Sequence, residues 1–497
     1  MKKALSAKLR CRIEAISHWK IIRRSLDARK KPIVFRLRVV VNPEQTELLT
    51  EAYQSASLNS DKTAIIVGFG PAGMFAALEL LEAGIRPIVI ERGSEVRNRR
   101  RDVVKIFRER EVDPESNYCF GEGGAGTFSD GKLYTRSKKR GNIRQILQTL
   151  VKYGADPQIL YDARPHIGTN KLPEIVVNIR NAIRKAGGEV HFDTKVEDFI
   201  VENQKLIGVR SREKEWRSDA VILATGHSAR DIFKLLAKKR IRIEAKEFAL
   251  GVRIEHPQDL IDRIQYKCVS RDTNLPPAAY SVVRQIKDRG VFSFCMCPGG
   301  IIAPAMTASD EIVVNGWSPS KRNGDFANSG FVVQVKANDW SDIEGDADLR
   351  AMKYQGILEK RAFIAGGSNL TAPAQRAIDF VKNRISKSIP ETSYIPGVVS
   401  ADLREVLPKD ISQRIAGALR HFNKIMPGYG GDQAVMVGIE SRTSSPVRIP
   451  RERESLEHPE ISGLYPCGEG AGYAGGIMSA ALDGIACARK IAVRNES

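Results

Sequence analysis

The clearest hydrophobic pattern in the chain predicts a βαβ unit between residues 63 and 91. Residues 63–67 form an unbroken apolar and β-branched run, which is typical of a parallel strand buried on both faces. A glycine-rich turn follows, and small and apolar residues over 72–83 predict a helix that ends at Gly84. Residues 86–91 have the composition of a second strand. We therefore expect two parallel strands joined by a right-handed crossover.

Weaker patterns on both sides of this unit predict an α/β chain with a β-rich middle. Residues 1–60 suggest a small α/β module, with helical spacing over 13–22, a strand over 32–41 and a helix over 44–56. Strands dominate from about residue 246, with few helices between them, and βαβ character returns after residue 460. Further helices are predicted at 142–153 and 174–186, and further strands at 189–192, 206–210, 220–224, 248–254, 291–297, 311–315 and 331–335.

The charge of the chain is strongly positive and unevenly spread. The net charge is +19, and residues 1–40 hold thirteen Lys and Arg against two Asp and Glu. Such a surface could bind nucleic acid, an anionic membrane or an acidic partner, although a solvated basic face is the favoured interpretation. The seven cysteines show no zinc or disulfide spacing, and no transmembrane or secretory segment is evident. We expect a cytoplasmic protein with reduced thiols and no metal.

The turn of the βαβ unit carries a dinucleotide-binding motif. Gly68-Phe69-Gly70-Pro71-Ala72-Gly73 follows the first strand, with Ala77 four residues further on. Glycines in this order allow a tight turn, close approach of a pyrophosphate at Gly70, and close packing of the helix on the strand. Glu91, followed by Arg92, ends the second strand at the spacing from which a carboxylate binds ribose hydroxyls. The motif predicts a Rossmann-type nucleotide site.

A second glycine motif near the C-terminus favours FAD over NAD. Residues 464–477 have the pattern of a strand, an acidic residue after Gly468, a glycine turn and the start of a helix. The Glu469 carboxylate can bind ribityl hydroxyls, and backbone N–H groups at Gly476 and Ile477, next to Gly475, can face the flavin pyrimidine. An extended cofactor needs such a second contact, so we predict non-covalent FAD.

The two motifs together resemble FAD-containing oxidoreductases of the glutathione-reductase-like class and, more closely, the bacterial FAD-dependent dehydrogenase family. The resemblance implies the fold and FAD, and little about the substrate. It also implies that the backbone at Val196 contacts adenine and that Ala224, Thr225 and Gly226 pack on the adenosine half. Matching stretches span nearly the whole chain: 25–31, 120–133, 164–169, 224–231, 294–300, 442–448 and the C-terminal glycine motif.

These observations predict an α/β fold with a Rossmann-type FAD-binding domain, a β-rich second (substrate) domain and a small N-terminal α/β module. The boundaries that we expect are 1–60 for the basic module, 61–245 for the first part of the FAD-binding domain, 246–430 for the substrate domain and 431–497 for the returning C-terminal part. A chain of 497 residues is long enough for several cores.

A glycine-rich segment over 121–131 is the least regular part of the first domain. Its glycines exclude a helix or an ordinary strand and suit a loop that approaches a ligand closely. We expect Gly124, Ala125 and Gly126 to lie along the flavin or the pyrophosphate, with Asp130 as a candidate catalytic carboxylate.

Candidate catalytic groups in the rest of the chain are few. Cys295 and Cys297 alternate along a predicted strand and so share a face, which fits either a thiol pair beside the flavin, with Cys297 as the catalytic candidate, or two structural thiols. His166 and, less strongly, His256 lie next to prolines in loop-like contexts and could exchange protons near neutral pH.

Arginines are candidate anchors for an anionic substrate. Arg442 and Arg448 flank a Ser/Thr cluster just before the returning strand, where they could bind an anionic substrate or form structural ion pairs.

The favoured function is a FAD-dependent dehydrogenase or reductase that acts on a small organic substrate between the two domains. Nothing in the chain marks a second nucleotide domain, although transient NAD(P)H binding at the flavin is open. One alternative is a hydroxylase-type monooxygenase, suggested by the turn at 225–230, in which Thr225 stands where hydroxylases carry an aspartate. Another is a flavoprotein that docks or modifies RNA or an acidic partner through its basic N-terminal module.

Overall fold

The fold is that of a computed structural model, which describes residues 1–42, 58, 62–134 and 141–494. The strands are β1 (Trp19–Asp27), β2 (Val34–Val41), β3 (Thr63–Val67), β4 (Arg86–Ile90), β5 (Glu189–His191), β6 (Asp198–Glu202), β7 (Lys205–Arg210), β8 (Glu215–Arg217), β9 (Val221–Leu223), β10 (Glu244–Ala245), β11 (Phe248–Pro257), β12 (Val283–Ile286), β13 (Arg289–Cys297), β14 (Ile301–Pro304), β15 (Val314–Trp317), β16 (Phe326–Val335), β17 (Ala372–Arg376), β18 (Val398–Ser400), β19 (Val435–Glu440), β20 (Val447–Arg448) and β21 (Leu464–Pro466). The α-helices are α1 (Lys2–Leu9), α2 (Pro71–Glu82), α3 (Val96–Arg108), α4 (Ile143–Lys152), α5 (Leu172–Lys185), α6 (Arg230–Lys238), α7 (Gln258–Tyr266), α8 (Arg350–Ala365), α9 (Ala377–Val381), α10 (Leu403–Val406), α11 (Lys409–Ile425) and α12 (Ile477–Arg494).

A five-stranded parallel sheet carries the dinucleotide motif. Its order is β21-β9-β3-β4-β5, so strands that are distant in the sequence lie side by side. Helix α12 crosses α2 closely, because an added Cβ at Gly484 would lie 2.0 Å from the carbonyl oxygen of Ala72. The predicted βαβ unit is present with nearly the expected bounds, and the α/β fold class is confirmed.

The second sheet has seven strands and is covered by helices. Its order is β12-β13-β16-β11-β19-β17-β18, with antiparallel pairing throughout except between β17 and β18. Helix α11 buries Ile411, Ile415, Leu419 and Phe422, which have the i+3 and i+4 spacing of an amphipathic helix, in the core that it shares with the sheet. Helix α7 lies among the predicted strands of this β-rich region, and α8 to α11 follow them between residues 350 and 425.

One predicted domain boundary and one predicted strand differ from the structure. Strand β19 pairs with β11 and β17, so the second sheet continues past the boundary predicted at residue 431. The chain returns to the first sheet at β21. The strand predicted at 311–315 begins instead at Val314, and it pairs with β14 outside the seven-stranded sheet.

The N-terminal residues form a β-hairpin from β1 and β2. The helical spacing read over 13–22 is wrong, because residues 19–27 are extended and pair with β2. Arg24 fixes the hairpin to the first domain: it exchanges backbone hydrogen bonds with Tyr161 and Ala163, and its side chain pairs with Asp162 at 2.7 Å. The helix predicted over 44–56 lies outside the described residues. None of the helices that the structure describes has both the length and the hydropathy to cross a membrane.

Candidate functional site

A cavity of about 580 Å³ is lined by residues from both sheets. Its volume is in the range of small-molecule and cofactor sites. The residues predicted to bind FAD that line it are Gly68, Gly70, Ala72, Glu91, Arg92, Gly124, Ala125, Gly126, Val196, Ala224, Thr225, Gly226, Glu469, Gly475, Gly476 and Ile477. Segments from five distant parts of the chain therefore form one wall, which we call the glycine part of the cavity.

The turn between β3 and α2 presents backbone groups to the cavity. Gly68 has a φ of 104°, which a side chain would strain. Gly70 precedes α2, and the first N–H groups of a helix, here those of Ala72 and Gly73, have no helical acceptor. Gly73 packs its α-carbon against the turn, because an added Cβ would lie 2.0 Å from the oxygen of Gly68. The turn therefore offers an anion site at a helix N-terminus.

Glu91 joins this turn to the glycine loop. Its buried carboxylate accepts backbone hydrogen bonds from Phe69 at 2.8 Å, Gly93 at 3.1 Å and Gly121 at 2.9 Å. A carboxylate has about four acceptor positions, so one remains for a ligand hydroxyl. Glu91 holds two cavity loops together as well as being available to a ribose, a structural role that the motif does not reveal.

The glycine loop lies against the helix turn and is held from behind by Arg99. Residues Gly124–Gly126 form a 3₁₀ turn, and an added Cβ at Gly124 would lie 3.1 Å from the Cα of Gly70. The fully buried Arg99 guanidinium donates to the carbonyl oxygens of Asn117, Tyr118 and Glu122 at 2.6–3.0 Å. One side chain thus replaces the regular backbone pairing that the loop lacks.

The C-terminal turn is fixed by an ion pair below the cavity. Arg451 binds Asp483 of α12 at 2.6 Å and donates to the carbonyl oxygen of Pro466 at 2.8 Å. Asp483 also accepts from the N–H of Gly468 at 2.8 Å. Gly468 therefore shapes the turn from outside the cavity lining and presents Glu469 to the cavity. Burial raises the pKa of Glu469 to about 7, partly offset by Lys246.

Another region of the cavity wall, which we call the charged part, is formed by Asp130, Lys132 and Cys295. The Lys132 Nζ lies 3.3 Å from Asp130 and 3.6 Å from each of the Cys295 and Cys297 sulfur atoms. Arg322 binds Asp130 with two hydrogen bonds, at 2.6 and 3.2 Å. Although burial opposes ionisation, Lys132 and Arg322 lower the pKa of Asp130 to about 2.

Matches to family models and to one relative show which family the chain belongs to. Residues 62–235 match the pyridine nucleotide-disulphide oxidoreductase model, and residues 247–443 match the model of a FAD-dependent protein, C-terminal domain-like. Residues 1–42 match a domain of unknown function. An uncharacterized protein from Clostridium beijerinckii is 41% identical over 512 positions, covering 99% of this chain and 95% of that protein. The chain belongs to this family of FAD-dependent proteins.

Two further likenesses are more distant. Thiamine thiazole synthase from Aeropyrum pernix is 26% identical over 238 positions, 44% of this chain and 73% of that protein. The crystal structure of glycine oxidase from Bacillus cereus shares 14% identity with a TM-score of 0.34, over 88% of this chain and 95% of that chain. The family models establish FAD as the cofactor and a FAD-dependent oxidoreductase as the class of protein. The narrower glutathione-reductase-like class stays a prediction.

The glycine part of the cavity fits an extended FAD. Added Cβ atoms at Gly226, Gly475 and Gly476 would meet no protein atom within 4 Å, so these backbones border open space. The Glu469 side chain takes part in no hydrogen bond with the described residues, and its carboxylate is open to ligand hydroxyls. The N–H groups at the start of α12 also have no helical acceptor.

The structure separates the predicted catalytic candidates. Asp130 lines the cavity, but its ion pairs and low pKa make it a poor proton acceptor. His166 lies outside the lining and bonds the carbonyl oxygen of Ser320 at 3.0 Å. Cys297 is fully buried behind Cys295, and Cys295 is the cysteine that lines the cavity. His256 is buried in the core of the seven-stranded sheet, where its ring forms a hydrogen bond with the carbonyl oxygen of Tyr429 at 2.8 Å.

Neither arginine is placed as a free substrate anchor. Arg442 reaches the lining, but its guanidinium is occupied by Glu311 and Glu359, with further bonds to Ser228 and Thr307. Arg448 lies outside the lining and is exposed. The structural ion-pair alternative therefore describes Arg442, and the predicted substrate contact of Arg448 is contradicted by its position.

Sequence reasoning missed three polar groups at the cavity. Lys132 ends the glycine loop and gave no signal beyond its place in that loop. His227 lines the cavity beside Ser228, and burial together with Arg442 and Arg230 lowers its pKa to about 3, so the ring is neutral. Arg253 lies behind Gly316, where an added Cβ would come within 2.0 Å of its Nη2. Only the tertiary fold brings these residues together.

Proposed function

We propose that the protein is an oxidoreductase that exchanges a hydride between FAD and a small organic substrate bound at the charged part of the cavity. The observation that carries the proposal is the continuity of the cavity. One wall is rich in glycines and helix N-termini, as a dinucleotide requires, and another holds side chains from the second sheet. When bound, FAD supplies the two-electron chemistry, and the protein provides position and electrostatics.

Each chemical group of FAD is assigned to its own set of residues. The N–H groups of Ala72 and Gly73 bind the diphosphate, and the remaining acceptor position of Glu91 binds the adenosine ribose. Val196 and the turn at 224–226 border the adenine. Glu469 binds the ribityl chain, and the N-terminus of α12 faces the pyrimidine, where its dipole favours negative charge on reduction.

The proposed substrate region is formed by groups that can orient a small polar molecule. Asn315 and Tyr134 line it together with Lys132, while Phe294 contributes an apolar face. Asp130 and Arg322 act there as a fixed ion pair that positions the Lys132 ammonium. The substrate region thus has a buried ammonium that is paired with Asp130 and has the amide of Asn315 and the hydroxyl of Tyr134 as neutral neighbours in the lining, which suits a small molecule with an acceptor oxygen.

Anaerobic stopped-flow absorbance of the holoprotein with a panel of metabolites tests the proposal. A dehydrogenase is expected to lose its oxidised-flavin absorbance when mixed with its substrate in the absence of oxygen. NAD(P)H oxidation that a substrate stimulates, with isotopically labelled oxygen entering the product, would replace the proposal with the monooxygenase. Turnover on RNA or protein only would favour the docking alternative.

A further inference from the structure

We propose that Cys295 and Cys297 form a dithiol–disulfide couple that exchanges two electrons with FAD. The inference rests on the proposed binding of FAD in this cavity and adds a second redox centre to it. The couple lies in β13 of the second sheet, outside the sequence matched by the pyridine nucleotide-disulphide oxidoreductase model.

A β-bulge places the two thiols around one amine. Phe294 pairs with Gly330 and Cys297 pairs with Asn328, so β13 carries one extra residue between them. Cys295 has a φ of 45°, a strained conformation for a residue with a side chain. Both sulfur atoms nevertheless lie 3.6 Å from the Lys132 Nζ. The irregular backbone therefore gathers both thiols at one point, where a regular strand would keep them extended.

The two cysteines have different access to the cavity. Cys295 lines it, and its sulfur lies 3.6 Å from the Nζ of Lys132, which also lines it. Cys297 is 0% exposed, and its thiol is 3.3 Å from the carbonyl oxygen of Cys295. An outer sulfur that can react and an inner sulfur that can close the bond is the arrangement that a dithiol couple requires.

The charges around the pair leave room for one thiolate. The cations are Lys132, Arg253 and Arg322, and the carboxylates paired with them are Asp130 and Glu440. Arg253 also lies 3.5 Å from the Cys297 sulfur. Three cations facing two carboxylates are balanced by one sulfur anion. Further titratable groups that act on the cluster are Glu469, His166 and the hydroxyls of Tyr118 and Tyr280.

The pKa values of the two thiols also favour one thiolate, on Cys295, beside one protonated thiol, on Cys297. Hydrogen bonding to Cys297 and the charges of Lys132 and Arg253 lower the pKa of the Cys295 thiol well below its ordinary value, against the effect of burial. Hydrogen bonding to Cys295 and burial raise the pKa of the Cys297 thiol. A thiolate beside a thiol is the reactive form of a dithiol, because the thiolate is the nucleophile.

The step balances with FAD as the oxidant. The Cys295 thiolate and the Cys297 thiol form one Sγ–Sγ bond while the Cys297 S–H bond breaks. Two electrons and that one proton pass to oxidised FAD. In the reverse direction, reduced FAD returns them to the disulfide. The Lys132 ammonium stabilises the sulfur anion in either direction.

The test is a reductive titration of the oxidised holoprotein with dithionite under anaerobic conditions. We expect four electrons per FAD in the wild type, two for the flavin and two for the disulfide. Cys295→Ser and Cys297→Ser should each take two. Cys119→Ser is the matched control, since this cysteine also lines the cavity, and it should still take four.

Alkylation of the denatured chain gives a readout that needs no flavin signal. In the oxidised protein the peptide with Cys295 and Cys297 should resist iodoacetamide and have the mass of a disulfide. After reduction, Lys132→Met should slow alkylation of native Cys295 about tenfold, because the thiolate loses its nearest cation. Two electrons per FAD in the wild type, with both cysteines alkylated in the oxidised protein, would overturn the couple and leave the proposed function intact. Loss of FAD from the purified wild type would instead overturn the proposed function.

Discussion

The glycine part and the charged part of the cavity are built from different kinds of atoms. In the glycine part, backbone N–H groups and missing side chains leave room for a ligand, as at Gly226 and Gly476. In the charged part, buried side chains from distant elements neutralise one another around Lys132. The first arrangement is encoded by short sequence motifs. The second depends on tertiary contacts between elements that are distant in the sequence. We therefore expect substitutions in the two parts to differ in what they abolish.

The largest effect should come from Gly73→Ala, which tests how the glycine part is packed. An added Cβ would lie 2.0 Å from the backbone oxygen of Gly68, which cannot move without displacing β3. The free energy of unfolding should fall by at least the ~1–3 kcal/mol typical of overpacked cores. Urea unfolding followed by circular dichroism measures it. Wild-type stability in this variant would show that α2 does not pack on β3 as described.

Gly70→Val should abolish FAD binding and leave the protein folded. An added Cβ there lies 3.9 Å from the Cα of Gly124, an ordinary contact, and the φ of −77° suits any residue. The branched methyl groups would occupy the space proposed for the diphosphate. Flavin content after gel filtration should be under about a tenth of wild type, the scale of a lost 1.4 kcal/mol or more, with an unchanged circular dichroism spectrum. Gly70→Ala is the matched control and should retain more flavin. Full flavin content in Gly70→Val would place the diphosphate elsewhere.

Glu469 is an ionisable side chain within the glycine part, and it should make FAD-free protein sensitive to pH. Its folded pKa is raised from 4.5 to about 7, so its contribution to stability is fully present below pH 4.5 and is lost as the pH rises through about 7. The free energy of unfolding of FAD-free protein should therefore decline over that interval. Glu469→Gln should lessen the decline, as measured by urea unfolding at pH 5 and 8. Identical pH profiles for the two proteins would contradict a raised pKa of the Glu469 carboxyl.

The smallest effect on the cavity should come from deleting residues 1–42. The cavity lining includes no residue of the hairpin, which contacts the first domain through Arg24. Flavin content per chain should stay within about 20% of wild type, because no proposed FAD contact is removed. If the basic face binds polyanions, a gel shift with RNA should disappear in the same variant. Colourless truncated protein would show that the hairpin supports the FAD site.

The comparison also explains which features could be predicted from the sequence. Turns such as Gly68–Gly73 and the Glu469 motif place glycines and an acid within a few residues, and local backbone geometry needs no tertiary information. Contacts across 163 residues, such as Lys132 with Cys295, leave no periodic signal. No sequence pattern marks the role of Arg99 either, since this side chain binds carbonyl oxygens of a loop that has no regular structure.

Errors in the predicted elements have a related cause. No helix is predicted at α11, although its apolar residues have amphipathic spacing, because strands dominate the same region. The opposite error occurred over 13–22, where scattered apolar residues have helical spacing but β1 pairs along its length with β2. Tertiary pairing outweighs a weak local pattern over 13–22, whereas α11 follows its own amphipathic pattern.

A crystal structure of the holoprotein with FAD tests the central claim most directly. The account predicts one FAD per chain, its diphosphate at the N–H groups of Ala72 and Gly73 and its ring system between Ile477 and Cys295. Ring density beside Val196 and the turn at 224–226, with adenine near Cys295, would reverse the assignment of the two parts of the cavity and contradict the account.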